Sequence, residues 1–342
     1  MNFFSNRGLF GSRKDKQFPD RVALVLSRNL AHIPFPSSTY FSPIWSGEVQ
    51  EEVRKVYLPL ARKGFSWVGV TSHSKELKLL SWVFPDLLSD SLEKILIYKG
   101  NLGTIVNYQD HLSLFVEGWS CSNLEPYWNK LNRWDNLWEK QLEYAYSEQL
   151  GYLSSSPSRL GTGLKIYVRL HLPALSFLYG EDKIYQWFKD GDKFRVEVYG
   201  EEDQVLAHLF VVSNLFTLGI KETEILKMTQ DFVREIQGWE KQARAFLVKS
   251  PSHQDIFWQI MESQYKGLMR TYKEQDKKKF LDFVSFWLLA QEEGIMPQSR
   301  GFSFMKIHDL WVKIVNEGLS KGQNWKILDF LETELGRIFN DV

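Results

Sequence analysis

The sequence has a single cysteine and no excess of charge of either sign, and each shortage excludes a class of protein. Cys121 is the only cysteine among 342 residues, so an internal disulfide framework is impossible and we expect a reducing, cytoplasmic environment. Lysine and arginine together number 42, as do aspartate and glutamate. Because this balance lacks the basic excess of a nucleic-acid-binding surface, we expect no nucleic-acid partner.

Long apolar runs and metal-ligand spacings are missing as well. No apolar run reaches the ~18 residues that a membrane span needs, so we expect no membrane association. Residues 1–17 lack the hydrophobic core of a secretory signal peptide. The 7 histidines include no pair at HxH or HxxxH spacing, and the sequence therefore predicts no metal site made of side chains.

What the sequence does contain is a series of short segments rich in β-branched and aromatic residues. These segments predict strands over residues 21–27, 94–98, 103–107, 111–119, 164–172, 194–199 and 204–212. In residues 164–172, apolar side chains alternate with polar ones that include Lys165 and Arg169. The alternation predicts a half-buried strand with one solvated, basic face.

Apolar residues spaced three and four apart predict helices around and after these strands. The predicted helices cover residues 124–142, 222–246, 256–272, 278–293, 304–315 and 325–338. The pattern predicts an α+β fold in two domains. Residues 1–245 form an antiparallel sheet flanked by helices, and residues 246–342 form an all-helical C-terminal domain.

Four motifs follow one another in the first of these domains. Residues 29–36 read NLAHIPFP, residues 107–112 read NYQDHL, residues 151–173 read GYLSSSPSRLGTGLKIYVRLHLP, and residues 199–219 contain YGE and SNLFTLG. In this order the motifs resemble those of the ATP:guanido phosphotransferase (phosphagen kinase) family, and most closely those of its bacterial protein-arginine kinase branch, McsB. The resemblance implies a guanido kinase catalytic domain that moves the γ-phosphoryl group of ATP, with Mg²⁺, to a guanidinium group.

The resemblance also indicates that the positions binding phosphate have lost their charge. In the family, arginines from several strands offset the charge of the nucleotide phosphates. The uncharged residues at such positions here are Ala23, Val25, Ser113 and Val196. Lys165 replaces one arginine without its bidentate guanidinium, and Arg169 is a second cation on the same predicted strand face. We therefore expect ATP and Mg²⁺ to bind weakly or not at all.

The catalytic base of the family is missing at its expected place. The two glutamates that hold and deprotonate the guanidinium fall on Tyr108 and Gln109. A phenol and an amide cannot act as a carboxylate base near neutral pH, so no catalytic position is intact. If the site has been rebuilt, Glu201 and Glu202 are the possible surrogate bases.

These substitutions favour a McsB-like homologue with impaired or lost phosphoryl transfer and a binding or regulatory role in protein quality control. By resemblance, its partners would be a McsA-type zinc-binding activator, a Clp-type unfoldase or a second copy of the chain. One alternative is an active ATP-dependent protein-arginine kinase with a rebuilt site. Another is a sensor that binds ATP without transferring its phosphate.

The C-terminal domain raises two further questions. In the McsB branch this domain holds a phosphoarginine pocket, and the pocket's arginine position falls on Leu288, which places the pocket in doubt. Apolar residues are numerous in this domain. Trp287, Leu288, Trp311 and Trp325 are candidates for a homodimer surface, although each fits a buried core position equally well.

Overall fold

The computed structural model describes residues 21–36, 43–70, 80, 82–84, 94–189, 191–197, 205, 207–270 and 277–295. The chain divides into two compact units. The first takes the described residues up to Leu170, with Phe188–Glu197 and Val211–Glu235. The second takes His171–Trp187, the described residues of Val198–Phe210, and those from Ile236 onward. The predicted domain boundary near residue 245 stays a prediction.

An eight-stranded antiparallel sheet forms the centre of the fold. Its strands in chain order are β1 Arg21–Arg28, β2 Ser66–Gly69, β3 Ile95–Lys99, β4 Leu102–Val106, β5 Leu112–Gly118, β8 Leu164–His171, β9 Phe194–Glu197 and β10 Leu209–Asn214. Across the sheet the strands follow the order β2-β3-β4-β5-β1-β8-β10-β9. A separate two-stranded ribbon consists of β6 Tyr146–Ser147 and β7 Gly151–Tyr152. The predicted antiparallel sheet is therefore confirmed.

Seven α-helices lie within the described residues. They are α1 Pro43–Ala61, α2 Glu125–Glu139, α3 Pro173–Tyr179, α4 Glu181–Lys189, α5 Glu222–Lys249, α6 Pro251–Arg270 and α7 Lys277–Glu292. The apolar stripe that predicted α2 is the surface by which it packs on the sheet: Trp134 is buried there and donates a hydrogen bond to Thr104 Oγ1 at 2.9 Å. Among the described residues, no helix is both long and apolar enough to cross a membrane.

Strand β1 has β5 and β8 as its two neighbours, and the register defines the two faces of the sheet. Val25 lies opposite Phe115 and Lys165, and Ala23 lies opposite Glu117. Side chains directly opposite one another in a sheet point to the same face. The Lys165 face is the face that carries Arg21, Ala23, Val25, Ser113, Phe115, Glu117, Lys165 and Arg169. The opposite face is the one covered by α2.

Some sequence-based expectations differ from the structure. Strand β10 begins at Leu209, whereas the sequence predicts a strand from residue 204. The sequence pattern does not predict α1 or β2, and β2 is short and only partly buried. The expectation that β8 has a solvated face is wrong, because Lys165 and Arg169 are both buried. Alternation of polar and apolar residues indicates which side chains share a face, but not what covers that face.

Two of the four candidates for a homodimer surface are buried within the chain. Trp287 and Leu288 are buried inside the second unit on α7, so they are core residues there. Trp311 and Trp325 lie outside the described residues, as do the predicted helices over residues 304–315 and 325–338.

Candidate functional site

The Lys165 face is covered by Trp82, a residue that lies far from the motifs in sequence. The Trp82 indole Nε1 donates a hydrogen bond to Glu117 Oε1 at 3.1 Å. The guanidinium carbons of Arg21 and Arg169 lie 5.5 and 5.6 Å from the centre of a Trp82 ring, within the range of a cation–π contact. Arg21 Nη2 also donates to Glu117 Oε1 at 3.1 Å. Glu117 therefore accepts hydrogen bonds from both Arg21 and Trp82, and the Trp82 ring contacts both arginines.

Phe84 continues this cover toward the 107–112 motif. Its ring meets Phe115 edge-on at 5.8 Å and Tyr108 edge-on at 5.3 Å between centroids. Trp82 is 5% exposed and Phe84 is 3% exposed. We call Trp82 and Phe84 the aromatic cover, since both are buried and contact residues of the Lys165 face. The aromatic cover thus packs against Arg21, Glu117 and Phe115 of this face, while Tyr167 on the same face is partly exposed.

Lys165 has its partners on the neighbouring part of the sheet. Its ammonium group donates hydrogen bonds to the backbone carbonyls of Asn214 and Leu215, the latter at 3.1 Å. Lys165 is only 8% exposed. An ammonium held by two carbonyls satisfies the backbone at the end of β10, which is a structural role.

The structure brings most of the predicted phosphate positions together, with one exception. Ala23, Val25, Ser113, Lys165 and Arg169 share the Lys165 face. Val196 instead shares its strand face with Phe194, whose ring stacks on Phe232 of α5 at 4.1 Å. The adjacent Arg195 is exposed on the opposite face of β9. The predicted surrogates Glu201 and Glu202 lie outside the described residues.

The side chain at the predicted base position makes a hydrogen bond to an arginine of the chain itself. Gln109 Oε1 accepts a hydrogen bond from Arg159 Nη1 at 2.5 Å, and Arg159 Nε donates to Asp110 Oδ2 at 2.9 Å. Tyr108 is partly buried beside them, beneath Phe84 and 5.6 Å from Lys94 Nζ. Sequence reasoning missed Arg159, although it lies within the 151–173 motif.

Asp110 is the centre of a buried hydrogen-bond network. Its carboxylate accepts hydrogen bonds from Asn29 Nδ2 at 2.8 Å, Ser154 Oγ at 3.0 Å and the Ser155 amide at 2.8 Å, in addition to Arg159. Burial alone raises the pKa of Asp110. The Arg159 charge and the hydrogen bonds outweigh that effect, and the pKa lies below its ordinary value. Four donors leave this carboxylate no capacity to act as a base.

His111 belongs to the same network. Its backbone amide donates to Asn29 Oδ1 at 2.9 Å, its Nδ1 accepts from the Leu30 amide at 3.0 Å, and its Nε2 donates to the Pro34 carbonyl at 3.0 Å. Burial lowers the pKa of His111 to about 4. The imidazole is therefore neutral, and it joins the 29–36 and 107–112 motifs.

The glycine-rich loop is fixed against the SNLFTLG motif by backbone contacts. The Thr162 amide donates to the Thr217 carbonyl at 3.0 Å, and Thr217 Oγ1 donates to the Leu160 carbonyl at 2.5 Å. Gly161 has φ of +90°, and a Cβ added to it would lie 2.5 Å from the Thr217 oxygen. Only glycine fits this approach of two backbones.

The described residues do not fit ATP and Mg²⁺ in the way that the resemblance implies. A phosphate site needs convergent cations or amides around open space. Here Trp82 and Phe84 pack against the Lys165 face, and the nearby cations bind carbonyls, a carboxylate or indole rings. Within the described residues, Gln109 is not accompanied by a carboxylate that could take a proton from a guanidinium.

Solved structures with the same architecture define the class of fold. Lombricine kinase aligns with a TM-score of 0.54 and 18% identity, over 69% of this chain and 70% of that one. The duplicated taurocyamine kinase from Schistosoma mansoni, with bound transition-state-analogue components, aligns with a TM-score of 0.55 and 16% identity, over 73% of this chain and 37% of that one. The fold is that of the guanido kinase catalytic domain.

Sequence comparison gives the family. The family model for the ATP:guanido phosphotransferase C-terminal catalytic domain matches residues 71–243, and the chain belongs to this family. Protein-arginine kinases of Staphylococcus aureus strains USA300 and Mu3 are 32% identical to it over 163 residues, which is 47% of this chain and 48% of theirs. The match thus spans about half the length of these relatives.

Proposed function

We propose that this chain is a homologue of protein-arginine kinase in which phosphoryl transfer is lost, and that it acts as a binding or regulatory protein in protein quality control. The observation that carries the proposal is the aromatic cover on the Lys165 face. In the family, this face receives the nucleotide. Here Trp82 and Phe84 occupy it.

The energetic cost of opening the face supports the proposal. A buried tryptophan removes roughly 150–250 Å² from water, and at ~25 cal/mol per Å² its exposure costs about 4–6 kcal/mol. The binding free energy of a nucleotide would have to exceed that cost. It would also have to withdraw Arg21 from Glu117, and the uncharged Ala23 and Val25 offer nothing in return.

The residue at the predicted guanidinium-binding position also supports the proposal. Gln109 replaces a carboxylate, and its amide oxygen already accepts from Arg159. A substrate guanidinium would compete with a guanidinium of the chain. Even if it bound, an amide could not remove its proton near neutral pH.

The decisive experiment is incubation of the full chain with γ-labelled ATP, Mg²⁺ and an arginine-rich protein, followed by detection of acid-labile phosphoarginine. We expect none, with or without a McsA-type activator, whereas the S. aureus protein-arginine kinase in the same assay serves as the positive control. The double substitution Tyr108→Glu with Gln109→Glu is expected to stay inactive, because Ala23 and Val25 still provide no charge. Robust phosphoarginine from the unmodified chain would overturn the proposal in favour of a rebuilt site with Glu201 or Glu202 as base and Lys165 and Arg169 as cations.

Calorimetry with ATP and Mg²⁺ separates this proposal from an ATP sensor. We expect millimolar affinity or no binding. Low-micromolar affinity without transfer would identify a sensor. The substitution Trp82→Ala tests the reason, since it removes most of the cover and leaves both arginines in place.

Partners and location are part of the proposal. We propose a cytoplasmic protein that associates with itself, with a McsA-type zinc-binding activator or with a Clp-type unfoldase. Light scattering of the chain at high micromolar concentration, alone and with the activator, tests association. A compact monomer in both samples would reject it.

A further inference from the structure

A cluster of potential metal ligands lies in the second unit and shares no residue with the site described above. Glu181 is the first residue of α4, His208 directly precedes β10, and Asp282 lies on α7. One ligand atom from each of the three side chains lies within 4.8 Å of the others. The three residues are far apart in sequence, so no spacing pattern could have predicted their approach.

His208 faces the cluster in the form that a metal ligand requires. Its Nδ1 lies 2.7 Å from Ser285 Oγ. With the Nδ1 proton donated to that hydroxyl, Nε2 directs a lone pair toward Glu181 Oε1, 3.8 Å away. Metal-binding histidines are typically held in this way by a hydrogen bond at the other ring nitrogen.

One carboxylate oxygen of Glu181, next to His208, lacks a hydrogen-bond donor among the described residues. Glu181 Oε1 is buried and accepts no hydrogen bond from any residue that the structure describes. A carboxylate oxygen that faces an imidazole lone pair is an arrangement of two acceptors, and only a cation or a proton between them makes it favourable.

Lys278 already supplies one cation to this cluster. Its ammonium donates to Glu181 Oε2 at 3.0 Å, to Asp282 Oδ2 at 2.8 Å and to the Val205 carbonyl at 2.6 Å. One ammonium against two carboxylates leaves a net charge of −1. The Lys278 side chain is 31% exposed, so it can turn toward solvent without burying its charge elsewhere.

The surrounding contacts hold the ligands in place. Asp282 Oδ1 accepts from the Ala207 amide at 2.8 Å, and the His208 ring stacks on Phe286 at 4.1 Å. Nitrogen and carboxylate ligands bind zinc-class ions at roughly 2.0–2.2 Å. Closure of the 4.8 Å cluster around an ion therefore requires the ligand atoms to draw together by about 1 Å or less, which departure of the ammonium would permit.

We propose that Glu181, His208 and Asp282 form a binding site for a divalent transition-metal ion of the zinc class, and that Lys278 is the cation it displaces. One imidazole and two carboxylates match the ligand preference of such ions. The ion would join α4, the start of β10 and α7 within the second unit.

Calorimetric titration of the metal-free full chain with Zn²⁺ tests the site. We expect one ion per chain. Glu181→Gln keeps the shape of the side chain and is expected to weaken binding at least tenfold. Lys278→Met removes the competing ammonium and is expected to tighten binding at least tenfold, a direction that a merely destabilising substitution would not produce.

The control separates this site from adventitious surface binding. His32 and Glu143 form an exposed pair at 2.7 Å, and His32→Gln should leave the Zn²⁺ affinity unchanged. The proposal is overturned if neither the wild type nor Lys278→Met binds Zn²⁺, or if His32→Gln abolishes binding while Glu181→Gln does not. His208→Gln adds a third ligand test where circular dichroism shows that it folds, and the first two variants decide the question where it does not.

Discussion

The 107–112 motif contains two kinds of residue: some match the family pattern, and others differ from it. Asn107, Asp110 and His111 match the family pattern, are buried, and make hydrogen bonds to distant segments. Tyr108 and Gln109 differ from the pattern and lie closer to solvent. The retained residues are the ones that hold the loops together, and the altered residues are the ones that chemistry needs. The chain thus keeps the residues that join the loops of the guanido kinase fold, whereas the residues at the family's base positions differ.

The largest effect should follow removal of the central retained carboxylate. Asp110→Ala takes away the acceptor of four hydrogen bonds and leaves the guanidinium of Arg159 without its ion pair. We expect a loss of about 3–5 kcal/mol in the free energy of unfolding, measured by urea denaturation at pH 7. Asp192→Ala, in an exposed turn, is the control and should change stability by no more than ~0.5 kcal/mol. A loss below ~1 kcal/mol for Asp110→Ala would contradict the conclusion that the retained residues hold the loops together.

The second-largest effect should come from a fall in pH, which removes the contribution of neutral His111 to the free energy of unfolding. Its folded pKa of about 4 lies below the unfolded value of ~6.5, so its stabilisation is complete above pH ~6.5 and is lost as the pH falls toward 4. At 1.36 kcal/mol per unit the loss reaches about 3 kcal/mol. His208, with a pKa of about 3, adds to it with the same sign.

The variant His111→Gln should unfold more easily at pH 7 and show a flatter decline between pH 6.5 and 4. His32→Gln, at an exposed position, should leave the slope as it is in the wild type. An unchanged slope in His111→Gln would show that the imidazole is not held neutral by the fold.

Two glycines offer a smaller and closely matched test. Gly161→Ala should cost at least ~2 kcal/mol, because it adds strain at φ of +90° and places a Cβ 2.8 Å from Leu218 Cα. Gly100→Ala has φ of +60° and no atom within 4 Å of the added Cβ, so we expect about 1 kcal/mol from backbone strain alone. Thermal unfolding of both variants measures the difference. Equal losses would mean that the glycine-rich loop is not fixed against residue 217.

The smallest effect is expected at the altered position itself. Gln109→Ala removes one exposed acceptor of Arg159, whose other partner Asp110 remains. The free energy of unfolding should change by no more than ~0.5 kcal/mol. A loss above ~1 kcal/mol in urea denaturation would place Gln109 among the residues that the fold requires.

Much of the fold was predictable because local pattern and tertiary environment agree in most strands. β1, β3, β4, β5 and β8 were placed within a residue or two by their alternation and composition, and α2 by its apolar stripe. β2 and α1 carry weaker signals: β2 is a short edge strand, and α1 contains Pro59 and Gly47.

The site was predictable as a set of positions but not as an environment. The resemblance assigned both Val25 and Lys165 to phosphate-binding positions, and the two are paired in the register. The burial of that face depends on Trp82 and Phe84, which belong to no motif and reach it only through tertiary packing. Arg159 carried one signal, its position inside the 151–173 motif. The approach of Glu181, His208 and Asp282 carried none.

The pairing of Val25 with Lys165 also determines what a positive charge at position 25 would meet. Cross-strand neighbours have Cβ atoms about 4.5–5.5 Å apart. An arginine at position 25 would therefore set two positive charges against each other beneath Phe84. Such a variant is expected to lose stability, because a second cation at this place is tolerated only if an anion enters with it.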